Sequence, residues 1–124
     1  MATQKKIFII DDNPIARKVL DKRLKEEGYD TIVVADPRET ALLAAREQPD
    51  LIICDVNMPL MDGGEVAASL KRHSRETATI PIMFLTTLVT EDVNAYTSGE
   101  YMYVSKMSQA QELFAQIRKM LRIS

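Results

Sequence analysis

Two short apolar runs of the chain end directly in carboxylates, and these are the side chains best placed to do chemistry. Asp55 closes the run 51–54, and the run 7–10 leads straight into Asp11 and Asp12. Because the carboxyl ends of parallel strands meet at one edge of a sheet, we expect the three side chains to lie together. Like charges that close repel one another unless a cation lies between them. The pattern therefore predicts an acidic pocket suited to Mg²⁺, which prefers oxygen ligands.

Two further polar residues lie at the ends of predicted strands and would reach the same edge. Thr86 follows the run 83–85, and Lys106 follows the run 103–105. Asp55 could attack phosphorus to form an aspartyl phosphate, and a carboxylate needs no base for this step. Mg²⁺ and the Lys106 ammonium would neutralise charge on the transferring group, while the Thr86 hydroxyl would hydrogen-bond a phosphoryl oxygen. These residue types together predict phosphoryl transfer.

The elements that must position these residues appear as an alternation of short apolar runs and amphipathic segments. Helix signals lie between the runs: Pro14 suits a first helical position, Gly28 suits a helix end, and Asp36 suits a helix cap. The apolar runs predict five strands, at 5–10, 29–35, 51–55, 80–86 and 101–105.

The same alternation indicates the fold class. Central strands this apolar are typical of a parallel sheet that helices cover on both faces. With right-handed crossovers, we expect a three-layer, doubly wound α/β fold. The last helix should bury the face that carries Leu113, Ile117 and Leu121, which recur every four residues. A fourth helix is expected near 90–98, with the weakest apolar stripe of the set.

Composition narrows the class of protein. The 124 residues are 46% hydrophobic and 27% charged, carry a net charge of −2, and suffice for one domain over 1–124. This small negative net charge gives no excess of basic residues that would bind nucleic acid, and little attraction to an anionic membrane surface. The sequence contains neither an apolar run of membrane-spanning length nor an N-terminal signal-peptide core. We therefore expect a cytoplasmic protein in which Cys54 is a core thiol.

Taken together and in this order, the motifs resemble those of the response-regulator receiver domain of two-component signalling, of the chemotaxis-regulator kind. They are Asp11 with Asp12, Asp55 with the Met-Pro-Leu-Met-Asp-Gly run at 58–63, Thr86, and Tyr103 three residues before Lys106. Each motif is weak alone, but the set is highly specific and extends from residue 5 to about residue 122. The resemblance implies a single receiver domain of the flavodoxin-like (βα)5 fold, with a five-stranded parallel sheet in the order 2-1-3-4-5.

The resemblance also implies roles for the acidic residues. Asp55 would be the phosphoacceptor. Asp11, Asp12 and Asp55 would bind Mg²⁺, with Asp12 the more direct ligand of the first pair, and Asn57 would add its backbone carbonyl. The phosphodonor would be a phosphohistidine on a sensor histidine kinase or on a phosphotransfer protein.

Three residues would respond to the phosphoryl group. Thr86 and Lys106 would hold it, and Tyr103 would change rotamer when Thr86 moves. The resemblance thus implies a change in the face built from the fourth helix, the fifth strand and the last helix. That face would select a downstream protein partner, an output domain or a second copy of the chain. Such a domain would be a signalling switch that biases two states rather than an enzyme, and it would catalyse only its own phosphorylation and dephosphorylation.

Two of the departures from the family pattern lie next to residues of the phosphoryl site. Met107 follows Lys106 where the family usually has a proline after a cis peptide bond. A cis bond before a non-proline residue costs roughly 3–4 kcal/mol, against roughly 0.5–1 kcal/mol before proline, so this peptide is either trans or cis and strained. Thr87 is β-branched where the family usually has a small residue, and we expect it to slow the entry or loss of the phosphoryl group.

The site residues disfavour two other functions. A phosphohydrolase of the haloacid-dehalogenase type needs a proton-donating carboxylate two residues after the nucleophile, where this chain has Asn57. Flavin binding in the flavodoxin manner is disfavoured because the carboxylates at 11–12 would repel a phosphate. A receiver-like interaction module that works without phosphorylation stays open as the alternative. Tyr103 could also be an ordinary packing residue, and His73 is expected at the surface of a helix end.

Overall fold

A computed structural model describes residues 4–86, 95–98, 101–105 and 110–123, and these residues place six strands in one sheet. The spatial order is β2-β1-β3-β4-β6-β5. All neighbouring pairs are parallel except β5 with β6, which is antiparallel. The strands are β1 (Lys6–Ile10), β2 (Asp30–Val34), β3 (Leu51–Asp55), β4 (Ile82–Thr86), β5 (Ala95–Ser98) and β6 (Tyr101–Ser105).

Helices connect the strands and cover both faces of the sheet. A 3-10 turn at Pro37–Glu39 precedes the second helix. In the described residues the helices are α1 (Pro14–Glu26), α2 (Thr40–Glu47), α3 (Gly63–His73), the single turn α4 (Arg75–Ala78) and α5 (Ala110–Ile123). None of these helices is long and apolar enough to cross a membrane.

Alternate residues of the central strands feed two separate cores. Phe8 and Ile10 of β1 point into the core beneath α2 and α3. Ile7 and Ile9 point into the opposite core, which contains Ile117 of α5. Because the apolar residues of the central strands β1 and β3 are buried on both sides of the sheet, the prediction of a three-layer doubly wound fold is confirmed. The five parallel strands keep the predicted flavodoxin-like order 2-1-3-4-5, with β6 in the fifth place.

The predicted fourth helix is wrong for the residues that can be compared. Residues 95–98 form β5, whose register with β6 runs from Ala95 opposite Val104 to Ser98 opposite Tyr101. The rest of the predicted helix, 90–94, lies outside the described residues. Pairing with β6 satisfies the backbone hydrogen bonds of this segment, whereas a helix would depend on a very narrow apolar stripe for its stability.

The predicted helix signals mostly hold. Asp36 accepts a hydrogen bond from the Arg38 amide at 3.0 Å, but it caps the 3-10 turn, and the α-helix begins only at Thr40. Pro37 accounts for this later start, because the fixed φ of proline suits the first position of a 3-10 turn as well as that of an α-helix. Gly28 adopts φ +93° just after α1, the left-handed conformation that ends many helices. On α5, Ile117 is fully buried, as predicted.

Candidate functional site

Three carboxylates meet at the carboxyl edge of the sheet. Asp55 is the last residue of β3, and Asp11 follows β1, whose Ile10 pairs with Cys54. Asp11 and Asp55 are only 6% and 3% exposed, while Asp12 is exposed. Each offers a carboxylate oxygen, and the three oxygens lie within 4.8 Å of one another. The predicted convergence of these residues is confirmed.

Hydrogen bonds fix the loop that carries Asp11 and Asp12. The Asn13 amide donates to Asp11 Oδ1 at 2.9 Å, and the Asn13 side chain caps α1 by accepting from the Ile15 amide, also at 2.9 Å. The Arg17 guanidinium donates to the backbone carbonyl of Asp11 at 2.8 Å. Sequence reasoning missed Asn13 and Arg17 as supports of the site. The signal for Asn13 was present, since asparagine before a proline is a common helix start.

The segment after Asp55 is equally well anchored. The Asn57 amide donates to Asp55 Oδ1 at 3.2 Å, so Asn57 lies beside the Asp55 carboxylate. The role of Asn57 as a metal ligand stays a prediction. The Gly63 amide donates to the carbonyl of Val56 at 3.0 Å and closes the loop onto the start of α3. Met58, which is buried, packs in the core below this loop.

Gly63 is a requirement of the site that sequence reasoning included only as part of a motif. A Cβ atom at this position would lie 2.8 Å from Cε1 of Phe84 and 3.2 Å from the carbonyl oxygen of Asp55. The absence of a side chain therefore lets α3 begin directly against β3 and β4. Asp62 and Glu65 form a reciprocal capping box that holds this helix start.

Thr86 and Tyr103 lie on the two neighbouring strands of the predicted switch region. Thr86 ends β4 one position beyond Leu85, the partner of Asp55, and is 1% exposed. It pairs with Ser105, a buried residue at the end of β6 that sequence reasoning did not single out. The Tyr103 ring is half-buried and stacks on Phe84, with ring centroids 5.2 Å apart. Packing of Tyr103 is thus shown, and its rotamer change stays a prediction.

The predicted residues Lys106, Thr87 and Met107 lie outside the described residues. The placement of the Lys106 ammonium therefore stays a prediction.

The electrostatic environment of Cys54 confirms that the thiol is part of the core. Burial raises the pKa of Cys54, and the nearby carboxylates of Asp55, Asp11 and Asp62 raise it further. The thiol therefore stays neutral, and its Sγ lies 3.3 Å from the carbonyl oxygen of Asp55 as a weak donor. It is fully buried beside the site and plays no part as a nucleophile.

The donor set of the pocket fits a hard divalent cation. All three converging side chains are carboxylates, and two of them are almost fully buried. Oxygen-only donors of this kind suit Mg²⁺, which is commonly held by one or two carboxylates and completes its shell with water and phosphate oxygens. Without a cation, the three negative charges would repel one another at short range.

Comparison with known proteins assigns the family. The family model described as the response regulator receiver domain matches residues 7–118. The chain therefore belongs to the response-regulator receiver family of two-component signalling, and the predicted identity is confirmed. This membership also fits a phosphoryl-acceptor role, since receiver domains of response regulators receive phosphoryl groups from histidine kinases.

Two curated relatives show how the chain compares with longer proteins. The probable transcriptional regulator ycf27 of Porphyridium aerugineum is 36% identical over 121 residues, which cover 96% of this chain and 49% of the relative. The DNA-binding dual master transcriptional regulator RpaA of Synechocystis sp. is 35% identical over 119 residues, which cover 94% and 49%. The chain thus spans about half the length of these relatives.

Solved structures share the fold. The chemotaxis protein CheY4 of Vibrio cholerae is similar with a TM-score of 0.80 and 26% identity, over 95% of this chain and 99% of that one. The receiver domain of the sensor histidine kinase PA1611 of Pseudomonas aeruginosa has a TM-score of 0.82 and 22% identity, over 96% and 98% of the two chains. That structure has a magnesium ion coordinated in its active site cleft, and at this identity the likeness shows the fold alone.

Proposed function

We propose that this receiver domain is a phosphorylation-operated switch in which Asp55 is the phosphoacceptor. A carboxylate oxygen of Asp55 would bond to phosphorus while the bond from phosphorus to the donor imidazole nitrogen breaks, which leaves an aspartyl phosphate and a free histidine. The observation that carries this proposal is the convergence of the Asp11, Asp12 and Asp55 carboxylate oxygens within 4.8 Å at the carboxyl edge of the sheet.

Mg²⁺ is the proposed cofactor of this site. Asp11, Asp12 and Asp55 would hold it through carboxylate oxygens, and Asn57 would add its backbone carbonyl. The bound ion would neutralise charge on the transferring phosphoryl group. Its fit rests on the all-oxygen donor set of this chain, and the magnesium ion in the related receiver domain of PA1611 supports the choice of metal.

Thr86, Lys106 and Tyr103 would convert phosphorylation into a change of surface. The Thr86 hydroxyl would donate a hydrogen bond to a phosphoryl oxygen, and the Lys106 ammonium would pair with the phosphoryl charge. Because Tyr103 is only half-buried and packs on one face of Phe84, a shift of Thr86 could be accommodated by a new Tyr103 rotamer. The domain would catalyse only its own phosphorylation and dephosphorylation.

The proposed partners follow from this role. A sensor histidine kinase or a phosphotransfer protein would supply the phosphoryl group in the cytoplasm. The output would be a downstream protein, an output domain or a phosphorylation-dependent homodimer. The names of the longer relatives point to transcription, yet the net charge of −2 argues against direct nucleic-acid binding by this domain. We therefore propose that this domain makes no direct contact with nucleic acid.

The decisive experiment measures the intact mass of the protein after incubation with acetyl phosphate and Mg²⁺. We expect a gain of one phosphoryl group that is lost in Asp55→Asn, in Asp12→Ala and when Mg²⁺ is removed. Asp30→Asn is the matched control, because Asp30 is an exposed carboxylate at the start of β2, on the opposite edge of the sheet. It should label like the natural chain.

Two outcomes would count against the proposal. Labelling of Asp55→Asn would place the phosphoryl group elsewhere, and labelling of Asp12→Ala at the normal rate would remove the metal assignment. If the natural chain neither gains mass nor binds beryllofluoride, the interaction module that works without phosphorylation becomes the better explanation.

A further inference from the structure

Arg17 connects helix α1 to the loop that carries the acidic pair. Its backbone amide donates to the Asn13 carbonyl at 3.0 Å, so the residue belongs to the first turn of the helix. Its half-buried side chain turns back, and the guanidinium donates to the backbone carbonyl of Asp11 at 2.8 Å. A charged donor makes this a stronger hydrogen bond than an ordinary backbone pair. The contact is therefore a tie between the helix and the strand end.

This hydrogen bond acts on Asp12, the one carboxylate of the pocket whose position is not fixed by burial. The Asp11 side chain is buried and accepts a hydrogen bond from the Asn13 amide, whereas the Asp12 side chain is exposed. The Asp12 carboxylate can stay near those of Asp11 and Asp55 only if the backbone between Asp11 and Asn13 keeps its conformation. The hydrogen bond from Arg17 fixes the carbonyl group of the Asp11–Asp12 peptide. It thereby also fixes the direction in which the Asp12 side chain projects from the backbone.

We propose that Arg17 is a positioning residue that holds the Asp11–Asp12 backbone in its metal-binding geometry and so strengthens the binding of a divalent cation. Three like charges within 4.8 Å push one another apart, and the loop must resist this force before the cation arrives. Mg²⁺ demands near-ideal octahedral geometry, so a small displacement of one carboxylate is costly. The inference rests on the proposed magnesium site.

Arg17 could affect Mg²⁺ binding through its charge or by positioning the ligands, and the two explanations predict opposite effects on Mg²⁺ affinity when the arginine is removed. A cation beside an acidic pocket repels Mg²⁺, so an arginine that acted only through its charge would weaken metal binding, and its removal would tighten it. An arginine that positions the ligands strengthens metal binding, and its removal would weaken it. Substitution of residues that orient metal ligands without binding the metal typically lowers metal affinity by about 10–100-fold.

The test compares Mg²⁺ binding by the full chain, measured by calorimetry, in Arg17→Met, Arg17→Lys and Lys18→Met. Lys18 is an exposed neighbour on α1, so its substitution removes the same charge without the hydrogen bond. We expect Arg17→Met to weaken Mg²⁺ binding about tenfold. Lys18→Met should leave binding unchanged or slightly tighter, and Arg17→Lys should recover part of the loss because it keeps a charged donor. The Asn13 amide should exchange its hydrogen faster in Arg17→Met.

Several results would overturn the inference. Equal or tighter Mg²⁺ binding by Arg17→Met would leave only the charge, and an equal loss in Lys18→Met would remove the special role of the hydrogen bond. If Arg17→Met does not fold, Arg17→Ala takes its place, because it too lacks a side-chain donor: full Mg²⁺ affinity with slow exchange at Asn13 would contradict the inference. If the natural chain binds no Mg²⁺, the proposed metal site itself fails, which is a separate result from a failure confined to the arginine variants.

Discussion

Substitution of Gly63 by alanine tests how closely the site depends on the contact between α3 and the sheet. The added Cβ would lie 2.8 Å from Cε1 of Phe84, a distance that Cβ atoms essentially never show. The Phe84 ring cannot simply move away, because it is 2% exposed and packs against Tyr101 and Tyr103, each with its ring centroid 5.2 Å away. The carbonyl oxygen of Asp55, at 3.2 Å, restricts movement on the other side.

The size of the effect follows from these contacts. An extra methyl group in a well-packed core costs typically about 1–3 kcal/mol. Alanine is preferred over glycine within a helix by up to about 1 kcal/mol, and this gain is smaller at the first helical residue. We therefore expect Gly63→Ala to lower the free energy of unfolding by about 2 kcal/mol. For a domain of this size, that change corresponds to a fall in Tm of about 8 °C.

Gly64→Ala is the matched control. Gly64 is exposed in the next position of the same helix, and the nearest atom to its added Cβ is an Asp62 carboxylate oxygen at 3.4 Å. Here the helix preference should dominate, with a gain of up to about 1 kcal/mol. Urea denaturation of both variants and the natural chain, followed by circular dichroism, measures the difference. If Gly63→Ala is as stable as Gly64→Ala, the close packing of α3 against Phe84 does not set this part of the fold.

Three further predictions concern other parts of the chain. Gly28→Ala should lower the free energy of unfolding by about 1 kcal/mol in the same urea experiment, because φ is +93° there and a Cβ strains that backbone even in open space; an unchanged value would contradict this. Burial alone would raise the pKa of Asp21, but hydrogen bonds from Thr31 and Lys25 outweigh it and hold the pKa below the ordinary 3.8. The stability this provides is present above pH 3.8 and is lost as the pH falls through the lower folded pKa. Asp21→Asn should therefore cost about 1 kcal/mol at neutral pH and progressively less in acid, and a cost that does not change with pH would refute it. Because burial raises the pKa of Cys54, its thiol should resist alkylation in the folded protein and react fully in denaturant; rapid reaction of the folded chain, judged by intact mass, would show that the site opens.

The parallel strands and the acidic pocket could be predicted from the sequence for one physical reason. A strand buried on both faces must be apolar along its whole length, so the first carboxylate after such a run marks the strand end. Asp11 and Asp55 both obey this rule, and the β1–β3 pairing then brings them together without any further information. The prediction succeeds because it needs only local composition and the geometry of a parallel sheet.

The missed features depend on tertiary contacts instead. The direction of the Arg17 side chain is decided by where α1 lies relative to the end of β1, and nothing in the sequence around residue 17 reports that angle. Strand β5 was missed because a four-residue segment gains its stability from pairing with β6. One signal was available: only two residues, one of them Gly99, separate 95–98 from 101–105, a spacing typical of a hairpin.

The two halves of the sheet differ in a way that suits the proposed switch. Strands β1 and β3 each have a parallel neighbour on both sides, so the strand end that leads into Asp11 and the one that carries Asp55 are held from two directions. Strand β6 lies next to the short edge strand β5, and its Tyr103 is only half-buried. A switch needs a rigid part that receives the phosphoryl group and a part whose alternative states differ little in free energy. Thr86 ends β4, the strand that pairs with both β3 and β6, and is therefore the described residue best placed to pass a change at Asp55 to Tyr103.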